Sequence, residues 1–318
     1  MISYLVFAGT IAGFYALLSL GLVTAWGQGG LVNLGLVGFV GLGAYTSALL
    51  SGAGFPIWID WIAAAVVSAA VGVALCFVVR NLRGDYLAIV TLGFAEILRL
   101  AETNEKWLTK GSDGISGIVA PLKSDLGESF PFFYLIMTWT LVGIVAFLLG
   151  CLLRSPFGRA LRAVRDDEQI AAVAGKSVLR LKLQAFGIGA ALSGLAGALY
   201  AHFTSYIAPD VFIVQLTIYI FLAVTVGGQT RLAGAVVGSI ALVALLEASR
   251  FIAAAIPGLD AVQIASLREF AIALTLILVM QLRPEGAFRM TNERSGLSAS
   301  RAASESCYGK RAIVDDAT

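Results

Sequence analysis

Charge is what this chain has least of. Aspartate, glutamate, lysine and arginine make up 13% of its 318 residues, where soluble domains carry about a quarter. The first charged side chain is Asp60, so the opening stretch has nothing that requires water. Histidine occurs once, as His202, which excludes a histidine-built metal centre. Cys76, Cys151 and Cys307 lack the spacing of a disulfide framework or a metal site. No basic n-region precedes the first apolar run and a second run follows at once, so the first reads as a retained span rather than a cleaved signal. A phosphate-binding loop is missing too. Gly175-Lys176-Ser177 ends like one, but the required glycine five residues earlier is Ile170. The chain is therefore expected to be neither an ATPase nor any other enzyme, and to hold no metal or cofactor. The net charge of +2 says little about partners, and nucleic acid is not expected among them.

What is present is apolar. Hydrophobic residues reach 58% and the mean hydropathy is +0.88. Backbone that faces lipid must satisfy its own hydrogen bonds, and apolar runs of ~20 residues do so as helices. A membrane β-barrel would show short alternating segments instead. The predicted fold is all-α: a polytopic transmembrane helical bundle of about 8–10 spans. The candidate spans are residues 2–24, 30–50, 61–79, 86–100, 132–153, 183–203, 211–226, 232–248 and 266–282. Trp58 and Trp61 read as interfacial anchors of the third. The glycines between Gly27 and Gly43 predict that the second segment breaks into half-helices or a re-entrant turn.

Residues 154–182 interrupt this pattern. They hold seven basic side chains (Arg154, Arg159, Arg162, Arg165, Lys176, Arg180, Lys182) against Asp166, Asp167 and Glu168, and uncharged segments flank them. Such a loop cannot lie in lipid, and its basic excess places it in the cytoplasm. Arg80, Arg83, Arg231, Arg283 and Arg289 fall on the same side by alternation, while the mostly acidic loop over 102–130 falls opposite. The C-terminus is then cytoplasmic, and counting puts the N-terminus outside. The domain layout expected is a membrane domain over residues 1–290, containing the 154–182 loop, and a disordered cytoplasmic tail over 291–318. Within the loop, Phe157, Leu161 and Val164 recur at helical spacing, as do Ile170, Val173 and Ala174, and Pro156 suits a helix start. A short amphipathic helix here could lie on the membrane or fit a groove on a partner protein.

Several intramembrane features admit two readings. Glu96 and Arg99 are one helical turn apart and can pair on one face. They are either a paired charge near a helix end or part of a pathway, since buried membrane charge faces protein or a water-filled cavity. Asn33, in a charge-free glycine-rich stretch, either bonds neighbouring backbone or lines a ligand path. Gly189, Ser193, Gly197 and Ala201 recur every four residues, which lets helices approach closely within one chain or between subunits.

Four spaced motifs resemble the permease of branched-chain amino-acid ABC importers, of the LivM type. They are Arg83-Gly84-Asp85-Tyr86 through Thr91 to Phe94 with Glu96 and Arg99; Leu108-Thr109 with Gly111 and Asp113 to Ile118; Ser155-Pro156-Phe157-Gly158-Arg159 through Arg165 with Asp167, Glu168, Ala171, Ala172 and Gly175; and Gly194 to Ala201 with Pro209 and Gly227-Gly228. Arg283-Pro284-Glu285-Gly286 closes the core. Lys110 stands where the family usually has glycine, and Lys176-Ser177 where it tends to have Ile-Asn. The resemblance implies an ATP-driven importer of branched-chain amino acids in the bacterial inner membrane, with urea or short amides as alternative substrates. It implies coupling to cytoplasmic ATPase subunits through Arg159, Arg162, Asp167, Glu168, Ala171, Ala172 and Gly175. It implies a pathway with Asn33, Asp85, Tyr86, Thr91, Glu96 and Arg99. A second related permease subunit and a periplasmic binding protein complete the expected partners, beside lipid. A stand-alone secondary transporter is the competing reading of the intramembrane polar groups.

Overall fold

The computed structural model describes residues 2–82, 84–123, 127–255 and 261–282. The tail expected over 291–318 lies outside these residues, as do Arg83 and the motif at 283–286. Among the described residues there are nine long helices: α1 (Ile2–Leu22), α2 (Leu36–Gly52), α3 (Ile57–Val78), α4 (Asp85–Asn104), α5 (Phe130–Arg154), α6 (Val178–Thr204), α7 (Val214–Gly227), α8 (Leu232–Ala255) and α9 (Ala261–Leu282). Each falls on a candidate span, and the protein is an all-α membrane bundle. The helices over α1, α3, α5, α6 and α7 are long and apolar enough to cross a bilayer by length and composition. The one strand pair among the described residues joins Ile115 to Ile207 and Ser116 to Tyr206, antiparallel.

Local chemistry sets the helix ends. Proline stands at the start of α5 and of the loop helix Pro156–Asp166, where its missing N–H costs nothing. Ser155 caps the latter by accepting from the Phe157 N–H at 3.2 Å. The break expected near Gly27–Gly43 is confined to residues 29–35. α1 continues as a π-helical turn, Val23–Gln28, and α2 begins only at Leu36.

α6 is the axis of the bundle and packs against α1, α2 and α3. Its small-residue stripe is used within the chain. A methyl group on Gly21 of α1 would lie 3.0 Å from the Gly189 carbonyl, and one on Gly189 would lie 3.2 Å from the Gly21 carbonyl. Gly194 and Gly197 press on α3 and α2 in the same way. Hydrogen bonds sort the helix ends into two groups. Gly27, Gln28 and Thr230 gather at the 154–182 segment. Ser51, Val119, Lys123, His202 and Ser205 gather at the opposite end. The N-terminal end of α1 lies with the second group, Phe7 packing 5.6 Å from Phe203.

Trp58 is exposed, as an interfacial anchor should be, but Trp61 is not one. It is 8% exposed and turned inward, 6.3 Å from the ring of His202.

Candidate functional site

The 154–182 segment folds as two short helices, Pro156–Asp166 and Glu168–Val173. Leu161 and Val164 of the first meet Ala171 of the second and Leu181 and Ala185 of α6 in a small core of their own. That core follows from the helical spacing of the apolar residues. Polar contacts fasten the segment to the bundle. Arg165 Nη1 donates to the Gly27 carbonyl at 2.7 Å, and Arg162 Nη1 to Gln28 Oε1 at 3.1 Å. Gln28 in turn donates to the Thr230 carbonyl at 2.7 Å, which ties in the α7–α8 turn. Glu168 forms an ion pair with the nearly buried Lys182.

This arrangement divides the residues expected to couple to a partner. Asp167 is an N-cap, accepting from the N–H groups of Gln169 at 2.8 Å and Ile170 at 3.0 Å. Ala171 is buried at 3% exposure inside the segment, so it offers no surface to a partner. Arg162 and Glu168 are engaged within the chain. Arg159, Ala172 and Gly175 are exposed. Beside them lie Ile170 and Val173, 69% and 91% exposed. The helical pattern named both as apolar positions but could not show that they point outward.

A second cluster joins α2 to α4. Thr91 Oγ1 accepts from the Leu34 N–H at 3.0 Å and donates to the Ala88 carbonyl at 2.9 Å. Asn33 Oδ1 accepts from the Gly35 N–H at 2.9 Å, while its Nδ2, fully buried, has no partner among the described residues. Asn33 and Thr91 thus sit together, but behind α2 rather than on an open surface.

Glu96 and Arg99 do pair. Arg99 Nη2 lies 2.5 Å from Glu96 Oε1, and its Nε lies 3.1 Å from both carboxylate oxygens. Both side chains are partly exposed, on the flank of α4 that also shows Ile89, Ile97 and Tyr86. Asp85 and Tyr86 are exposed at the start of α4, remote from the buried Asn33 and Thr91. α4 rests chiefly on α2, with smaller contacts to α7 and the loop beyond Asn104.

Three features were not singled out from the sequence. At the end opposite the 154–182 segment, Asp60, Ser47 and His202 are fully buried. His202 Nδ1 lies 2.6 Å from the Val119 carbonyl, and Nε2 lies 2.9 Å from Ser47 Oγ and 3.8 Å from Asp60 Oδ2. A carbonyl only accepts, so Nδ1 carries the ring proton. Glu102 is buried beside Gly41 of α2. A cavity of about 490 Å³ lies between α1, α6, α7, α8 and α9, with Phe14, Tyr200 and Phe212 in its wall and Glu247 and Glu269 at its edge. Asp60 and His202 were visible only as the first charge and the lone histidine. Their meeting depends on how α3 turns against α6.

Comparison with known proteins is consistent with this architecture. The family model described as branched-chain amino acid transport system, permease component, matches residues 4–280. The high-affinity branched-chain amino acid transport system permease protein LivM of Salmonella typhimurium (strain LT2) is 34% identical, over 93% of this chain and 72% of its own length. LivM of Escherichia coli (strain K12) is 35% identical over 89% and 69%. The permease protein LivH of Salmonella typhimurium is 24% identical over 73% and 80%. No solved structure matches the chain.

Proposed function

The chain belongs to the branched-chain amino acid transport permease family, and we propose that it is the membrane permease subunit of an ATP-driven importer of branched-chain amino acids. The observation that carries the coupling role is the 154–182 segment. It is a folded two-helix unit fixed to the bundle by its own core, yet it holds Ile170 and Val173 out as bare apolar side chains. Exposed apolar residues on a rigid polar platform mark a docking surface. A cytoplasmic ATPase is the partner that fits, with Arg159, Ala172 and Gly175 beside them at the contact. The segment and the C-terminus then lie in the cytoplasm of a bacterial inner membrane.

The exposed flank of α4 is the proposed wall of the pathway, completed by a second related permease. The similarity to both LivM and LivH, each a permease protein of such a system, supports that pairing. A zwitterion carries one charge of each sign, and Glu96 and Arg99 present one of each on that flank. Glu96 would face the ammonium group and Arg99 the carboxylate. At the opposite end, Trp107, Val119 and Leu122 are exposed on a loop held by the strand pair, and a periplasmic binding protein would deliver substrate there. Urea or a short amide remains the alternative cargo of the same machinery.

The test is reconstitution. The chain with its ATPase, partner permease and binding protein should accumulate radiolabelled leucine in proteoliposomes only when ATP is supplied. Leucine uptake by this chain alone, driven by an ion gradient and indifferent to ATP, would overturn the reading in favour of a secondary transporter. Uptake of urea with no uptake of leucine would move the proposal to the alternative substrate.

A further inference from the structure

We propose that the non-helical strap of residues 29–35 carries movement of the 154–182 segment to α4, and so links ATPase docking to the pathway. The inference rests on the permease reading above and names the internal element that reading leaves open.

The strap is tied at both ends. Just before its start, in the π turn, Arg165 holds the Gly27 carbonyl and Arg162 holds Gln28, while Gly30 of the strap, at φ +69°, lies against the Arg165 stem. At its end, Leu34 donates to Thr91 of α4 and Gly35 lies directly against the Thr91 carbonyl. One short stretch of chain therefore touches both the docking segment and the helix that bears Glu96 and Arg99. α4 lacks comparable packing on α5 or α6, the two helices that continue the segment covalently, and rests chiefly on α2. The link from α6 to α4 is a small apolar cluster, in which Leu87 and Phe94 share a core with Leu183 and Phe186.

The strap is also the deformable part. α2, α3 and α6 meet at glycine contacts too close to admit a methyl group. A helix resists bending because its ladder bonds must break. Residues 29–31 close the π turn through bonds from Gly30 N–H to the Trp26 carbonyl and Leu31 N–H to the Ala25 carbonyl, but residues 32–35 are outside any helix, and π turns are frequent at functional sites. Backbone rotation there changes the distance between its ends without breaking a helix.

The experiment uses the assembled importer in proteoliposomes with leucine as probe. Thr91→Val keeps the shape but removes the acceptor for Leu34, and Arg165→Ala releases the other end. Each should lower ATP-driven leucine uptake at least tenfold while the ATPase still co-purifies and hydrolyses ATP. Thr91→Ser keeps the hydroxyl that accepts from Leu34, and Arg165→Lys keeps a charged donor at the other end, so each should retain more uptake than the variant without the donor or acceptor. The double variant Thr91→Val, Arg165→Ala should be no worse than the lower single, because one broken link already interrupts a series connection. Uptake within twofold of wild type in both single variants of an assembled complex would overturn the proposal. So would a double variant that falls to the product of the two singles, which would mean that the ends act independently. If Thr91→Val fails to insert, the comparison of Arg165→Ala with Arg165→Lys decides, since loss in both or in neither removes the link. An unaltered chain that retains no ATPase at all would defeat the permease reading itself, and the strap proposal with it.

Discussion

At the scale of single residues, Gly175 has a role within the chain beside the contact proposed for it. A methyl group built there meets nothing within 4 Å in this chain, so internal packing does not ask for glycine. The backbone does. Gly175 sits at φ +76°, closing the Glu168–Val173 helix through bonds from Gly175 N–H to the Ala172 carbonyl and from Lys176 N–H to the Ala171 carbonyl, each 3.0 Å. This is a left-handed helix stop that favours glycine. Gly175→Ala should therefore loosen the segment by about 1 kcal/mol with no bulk added. Ala172→Trp, on the exposed side, should block ATPase co-purification while the permease inserts normally. Pull-down from membranes separates the two, and full recovery of ATPase with Ala172→Trp would remove that face from the contact. Glu96 and Arg99 make a second prediction. Each single alanine variant leaves one charge unpaired on α4, so the two losses of uptake should not add in the double variant. Strict additivity would mean that the pair is broken in the working importer.

At the scale of elements, the sequence pattern was informative wherever polarity changes along the chain and silent where it does not. The nine long helices, the folded 154–182 segment beginning at Pro156, and the Glu96–Arg99 pair were all legible, because charge, proline and one-turn spacing are local signals. The inward turn of Trp61 was not, nor was the Asp60–His202 contact or the burial of Ala171. α1, α2 and α3 are apolar all round, so no stripe marks which side faces the bundle. The break between α1 and α2 was legible in kind from its glycines, but its place at residues 29–35 depends on what Arg165 and Thr91 hold. The stripe on α6 allowed packing within the chain or between subunits, and the contacts of Gly189, Gly194 and Gly197 with α1, α3 and α2 select the first. Gly197→Val should accordingly force α6 off α2 and destabilise the isolated protein by roughly 1–3 kcal/mol or more, as overpacking does. Thermal unfolding in detergent measures this. An unchanged Tm would mean that α6 and α2 are not in contact at this point.

At the scale of the whole molecule, the question is where selectivity resides. On the exposed flank of α4, the Glu96–Arg99 pair is the proposed contact for the two charges of a zwitterion. Ile89, Ile97 and Tyr86 around it form an exposed apolar surface. Asn33 and Thr91 are buried away from this flank. Discrimination needs a large difference in binding between cargoes, and this surface offers little to distinguish leucine from valine or a straight-chain analogue. The opposite end of the bundle is built differently. Its loop is fixed by the Ile115–Ile207 pairing, by the Ser51 and His202 bonds to Val119 and by the Lys123–Ser205 bond, and it displays Trp107 at 81% exposure. A stable outer platform beside a permissive path suits a permease that accepts what an external binding protein delivers. Replacing that binding protein with one of different preference, on the same permease and ATPase, should therefore change which zwitterion enters. Uptake should follow the new protein's affinities, while the rate of ATP hydrolysis at saturation changes little. Competition assays with labelled leucine and its analogues in proteoliposomes measure the shift. A selectivity that stays with leucine whichever docking-competent binding protein is present would place the discriminating contacts within this chain or its permease partner.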